Sequence, residues 1–83
     1  MTTIDRLRRI LSETLALGAR GTALKREDRL LGGLPEFDSM AVVSLVTAIE
    51  EQFEITIDDD ELSGEVFQTL GSLESFVSAK AHN

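Results

Sequence analysis

Apolar residues recur at helical spacing in three stretches of this chain, separated by one long and one shorter irregular segment. Near the start, Ile4, Leu7, Leu11 and Leu15 are three or four positions apart, while Arg8, Arg9 and Glu13 fall elsewhere on the wheel. Thr2 or Thr3 can cap this helix and Gly18 is a natural stop, so the pattern predicts a first helix over about residues 3–17. A second helix is expected over about residues 39–53. There Val42, Leu45, Val46 and Phe53 lie within roughly 60° of Ile49 and form a core stripe. Met40 falls nearly opposite that stripe, and Val43 lies on the outward side with Thr47, Glu50, Glu51 and Glu54. The last helix, about residues 70–81, starts after Thr69 as N-cap and aligns Leu70, Leu73, Phe76 and Val77 on one face.

The intervening segments read differently. Residues 18–37 form a long first loop, which Leu24, Leu30, Leu31 and Leu34 could pin onto a core. Phe53, Ile55 and Ile57 alternate briefly, as an extended connector would. The run Asp58-Asp59-Asp60-Glu61 suits the positive end of a short third helix, about residues 59–67, carrying Leu62, Val66 and Phe67 and weakened by Gly64. The expected fold is therefore all-α: a small four-helix bundle of three longer helices and a short third one, in a single domain over residues 1–83.

Composition narrows the function. The 83 residues are 42% hydrophobic, enough for one core, although a domain this small buries only about 60% of its unfolded surface. With no cysteine there is no disulfide framework and no thiolate metal site. No apolar run approaches the ~18 residues of a membrane span, so no stable membrane insertion is expected. Asp5 and three arginines near the N-terminus do not fit a signal peptide. These features point to the cytoplasm. The net charge of -7 divides unevenly: residues 1–30 carry +3 and residues 31–83 carry -10, with Lys80 their only cation. An acidic second half argues against nucleic acid as partner and suits basic patches on other proteins.

The candidate chemistry centres on one hydroxyl. Gly32-Gly33-Leu34-Pro35-Glu36-Phe37 is turn sequence that leads to Asp38, an N-cap residue, and then Ser39 at the first position of a helix. Unpaired amides and the helix dipole make that place tolerant of a covalently attached phosphate. Other chemistries fail on spacing. A calcium loop beginning at Asp58 would place Leu62 and Ser63 at its fifth and sixth positions, so no metal site is expected. Ser39 has no G-x-S-x-G surroundings, and the lone histidine, His82, is too near the C-terminus to serve as its base, so the chain does not read as an enzyme.

Leu34-Pro35-Glu36-Phe37-Asp38-Ser39-Met40, followed by an apolar helix to Ala48-Ile49-Glu50-Glu51-Gln52-Phe53, resembles the acyl carrier protein family. The resemblance spans nearly the whole chain, including the start of the last helix at Thr69-Leu70-Gly71-Ser72-Leu73. It implies that Ser39 carries 4′-phosphopantetheine, added by a phosphopantetheinyl transferase from coenzyme A, with Asp38 assisting the attachment. It implies a carrier of thioesters that works with acyl-loading ligases, acyltransferases or synthases of fatty-acid, lipid or specialised (exopolysaccharide or secondary-metabolite) biosynthesis. Met40, Val43, Glu50 and Glu51 would meet basic docking patches on those enzymes, and an acyl pocket would lie near Val42, Val46, Ile57, Leu62 and Phe67. The carrier is expected to act as a monomer. Ala41 and Ser44 stand where carriers of general fatty acid synthesis usually have acids, and Phe37 where a small residue is common. The alternatives are an aminoacyl carrier of the D-alanyl kind, whose Asp-Ser-Met form is similar, and an unmodified acidic adaptor.

Overall fold

Thr2 opens the first helix, its hydroxyl accepting the Asp5 N–H at 3.2 Å. The computed structural model describes residues 2–81, so His82 lies outside the described residues. Among them are α1 (Thr3–Thr14), the short α2 (Ala19–Thr22), α3 (Ser39–Phe53), one 3₁₀ turn (Asp59–Glu61) and α4 (Leu70–Ala81). The fold is the expected all-α four-helix architecture. One pair of residues, Arg29 and Thr69, forms an isolated antiparallel bridge.

Three boundaries differ from the periodic pattern. The first helix ends at Thr14 rather than near Leu17, because Ala16 turns left-handed at φ 55. The Leu17 N–H then returns to the Ser12 carbonyl at 2.9 Å, the six-to-one closure of a helix C-terminus. Apolar periodicity continues through Leu15 because that side chain still enters the core after the backbone has left the helix. The long loop contains α2, which lies so close to α1 that a Cβ at Gly21 would meet Ser12 Oγ. The short third helix contracts to a single 3₁₀ turn. Leu62 is already extended (φ -83, ψ 126), and residues 64–67 form a turn that includes Gly64.

The core is apolar throughout, and no polar or charged side chain is fully buried among the described residues. Leu7 and Leu11 of α1, Leu45 and Ile49 of α3, and Leu70, Leu73 and Val77 of α4 converge there with Leu30 from the loop. Burial of each contributes roughly 1.5–3 kcal/mol relative to exposure. On α3 the fully buried line is Ala41, Leu45 and Ile49, while Val42, Val46 and Phe53 sit half-buried at its edge. The stripe is thus rotated from the expected one. The guanidinium of Arg6 lies 4.0 Å from the centroid of the Phe53 ring, which packs half-buried against the core.

Two non-local features hold the loop that leads to α3. Residues 28–31 run beside residues 67–70, with Leu30 N–H to Gln68 O and Leu31 N–H to Phe67 O, both at 3.0 Å. The Glu36 carboxylate is paired with Arg20 on α2. At the start of α4, Thr69 and Ser72 cap each other: each backbone N–H donates to the other's hydroxyl at 3.0 Å. The bidentate Lys80–Glu61 pair, 2.8 Å to both oxygens, ties α4 to the 3₁₀ turn.

Candidate functional site: an exposed serine at a helix start beside an apolar groove

Ser39 is exposed at the first residue of α3. Asp38 before it is extended (φ -117, ψ -175), and its Oδ1 accepts the Ala41 N–H at 2.8 Å. The Asp38 carbonyl takes the Val42 N–H at 3.0 Å. Among the described residues the amides of Ser39 and Met40 have no acceptor, so two free donors stand at the positive end of the helix that bears the hydroxyl. These residues fit a phosphodiester at Ser39. The approach is fixed from both sides: Phe37 is buried against Phe67, with ring centroids 5.7 Å apart, and the neighbouring Glu36 is held by Arg20.

The Arg20 guanidinium, hydrogen-bonded to Glu36, holds that carboxyl below the usual glutamate range. On the 3₁₀ turn, Lys80 lowers Glu61 in the same way, with help from the Asp58 N–H. Each of these acids is paired with a cation that belongs to the fold.

Beside Ser39 lies a groove of about 260 Å³ lined by Leu31, Phe37, Val42, Leu62, Ser63, Gly64 and Phe67. Three of the five expected pocket residues, Val42, Leu62 and Phe67, line it. Val46 and Ile57 do not: Val46 packs half-buried against the core, and the Ile57 side chain points into the core. Sequence reading missed Leu31, Phe37, Ser63 and Gly64 as lining residues. Phe37 was noticeable as an aromatic in the turn before Asp38, but its packing on Phe67 depends on non-local contacts.

The expected docking residues separate into two groups. Met40 and Val43 are 72% and 61% exposed, and Glu51 is exposed on the same helix. Glu50 is different, and its outward assignment is corrected here. Its Oε2 accepts the Ile57 N–H at 2.8 Å, because the connector after α3 folds back along the last turn. No group of three metal-ligating side chains occurs among the described residues, and no helix is long and apolar enough to cross a membrane.

A family model described as "Phosphopantetheine attachment site" matches residues 5–77. The chain is 36% identical over 61 residues to the acyl carrier protein of Campylobacter jejuni subsp. doylei, covering 74% of this chain and 75% of that protein. It superposes with a TM-score of 0.92 on the solution NMR structure of a holo acyl carrier protein from Nitrosomonas europaea, at 47% identity and full coverage of both chains. The chain belongs to the acyl carrier proteins of the phosphopantetheine-attachment family. Its prosthetic group is accordingly 4′-phosphopantetheine, and it is a carrier that enzymes modify and use, not itself an enzyme. Its partners are a phosphopantetheinyl transferase and biosynthetic enzymes.

Proposed function

We propose that Ser39 is the attachment residue and that this single carrier domain presents acyl thioesters from it. The observation that carries this reading is the exposed hydroxyl at the first residue of α3, capped by Asp38 and flanked by two unpaired amides. When bound, the arm supplies the thiol that holds the acyl group, a thiol this cysteine-free sequence lacks. Asp38 has two roles. Oδ1 holds the helix start, and Oδ2, with no hydrogen bond among the described residues, would be free to help the transferase hold its divalent metal. The amides of Ser39 and Met40 neutralise part of the phosphodiester charge.

Val42, Phe37, Leu62 and Phe67 shelter the first part of an acyl chain, each buried methylene contributing about 0.8 kcal/mol. Met40 and Val43 meet an apolar hollow on partner enzymes, and Glu51 meets a cation beyond it. With Ala41 and Ser44 uncharged and Glu50 engaged by Ile57, the partners are acyl-loading and acyl-transferring enzymes of lipid or specialised biosynthesis, working with a monomeric carrier in the cytoplasm. The test is intact mass after incubation with coenzyme A and a promiscuous phosphopantetheinyl transferase. One arm is added to the wild type and none to Ser39→Ala. An unchanged wild-type mass, in folded protein, would leave Ser39 without this role.

A further inference from the structure

Of the residues that line the apolar groove beside Ser39, only Phe37 and Phe67 are buried. Their rings, 7% and 5% exposed with centroids 5.7 Å apart, form its floor. We propose that this ring pair is a stop that keeps cargo out of the helical core, so that the carrier holds short acyl chains and excludes long ones. The proposal rests on Ser39 as the attachment residue and deepens that reading by naming the cargo class.

Three observations carry it. The first is where the groove ends. Leu45, Ile57 and Leu70 belong to the same core cluster as both rings, yet none of them lines the groove. Ser39 lies between Phe37 and Val42 in the chain, so a cargo tethered there meets a ring before it meets the core. The far end is shut as well. A Cβ on Gly64 would stand 3.8 Å from Leu31 Cδ2, which leaves no room for a methylene chain between them.

The second observation is size. At about 30 Å³ per water-sized group, the groove of about 260 Å³ has room for roughly eight methylene-sized groups. A longer chain has two courses. It displaces the rings and forfeits their packing, or it leaves its end in water and gains no further burial.

The third observation is how firmly the rings are placed. Phe37 sits in a turn closed by its own N–H to the Leu34 carbonyl at 3.0 Å. Its neighbours on either side are held too, Glu36 by Arg20 and Asp38 by the cap of α3. Phe67 comes from a distant segment, where its carbonyl accepts the Leu31 N–H at 3.0 Å. The ring planes are tilted by 50° at a separation typical of favourable aromatic pairs. Moving either ring aside breaks that pair and opens a gap in a close-packed core.

The experiment loads the protein with butyryl, octanoyl, dodecanoyl or hexadecanoyl arms, using a phosphopantetheinyl transferase and the matching coenzyme A thioesters. Intact mass verifies each loading, and failure at that stage counts against Ser39 as the attachment residue, not against the ring pair. With loading verified, the thermal midpoint of the wild type should rise from butyryl to octanoyl and stay level for the two longer chains. In NMR spectra of the ¹⁵N-labelled protein, octanoyl and dodecanoyl should both shift the amides of Val42 and Phe67 and leave those of Leu45 and Leu70 in place. Phe37→Leu replaces a ring with a smaller apolar side chain. Its midpoint should go on rising to dodecanoyl, which should then shift Leu45 and Leu70. Phe67→Leu opens the floor from the other side and should give the same result, so it decides the matter where Phe37→Leu does not fold. A wild-type midpoint that still rises beyond octanoyl would overturn the proposal. So would shifts at Leu45 or Leu70 in dodecanoyl-loaded wild type, or variants whose profiles level off at octanoyl.

Discussion

The carboxylate of Glu50 accepts the backbone N–H of Ile57 at 2.8 Å, across the connector that follows α3. It turns an acid that the helical wheel assigns to solvent into a part of the fold. Its neighbour Glu51 remains exposed, so adjacent residues of the same charge have different duties.

Glu50→Ala should therefore destabilise the protein by about 1–3 kcal/mol, the usual cost of leaving an amide donor without its charged partner. Glu51→Lys should change stability by less than about 0.5 kcal/mol while slowing partner turnover and reducing its salt sensitivity. Urea unfolding paired with a partner assay separates the two. Equal stability losses in both variants would show that the Glu50 contact does not distinguish them.

The Phe53 ring is half-buried beneath Arg6, so its truncation should cost less than that of a core residue. Leu45→Ala, at a fully buried position, should lose about 2–5 kcal/mol. Phe53→Ala should fall below it, at roughly 1.5–3 kcal/mol. A double-mutant cycle between Arg6→Ala and Phe53→Leu should return about 0.5–1 kcal/mol of coupling. A coupling of zero would mean the guanidinium only rests on the ring.

Acid should weaken the protein through Glu36 and Glu61. Hydrogen bonds from Arg20 and Lys80, respectively, hold these carboxyls below the ordinary value of 4.5 in the folded chain. A depressed folded value means the unfolded chain binds protons first as pH falls. The stabilisation is thus complete above the ordinary value and is lost as pH drops through the lowered one. Thermal midpoints measured from neutral pH to about pH 3 should decline less steeply in Glu61→Gln than in wild type. A steeper decline in the variant would reverse the assignment.

Ala16 and Glu54 both have φ 55, a left-handed conformation that disfavours residues bearing a Cβ. Ala16→Gly should raise stability by up to about 1 kcal/mol, and Gly18→Ala, at φ 59 and ψ -130, should lower it by at least that much. Loss of stability in Ala16→Gly, measured by denaturant midpoint, would place the end of α1 elsewhere.

How much was legible can be judged from particular residues. The Asp38 cap, the Thr69 cap and the exposed positions of Ser39, Met40 and Val43 rest on interactions within one helical turn, where spacing and residue type suffice. The burial of Leu7, Leu11, Leu45 and Leu73 follows from periodicity for the same reason. By contrast, the pattern extended α1 past Thr14, because core burial of Leu15 and Leu17 continues after the helical backbone has stopped. It also overextended the segment after Asp58, where acids favour a helix start but say nothing of its length.

Sequence alone determined the all-α class, the serine at a helix start and the acidic character of the second half, because helical periodicity, capping and charge are local properties of the chain. Tertiary structure decided the rest: the duty of Glu50, the walls of the groove and the place of Arg29 beside Gln68. Each of these depends on segments distant in sequence coming together, and a helical wheel contains only one segment at a time.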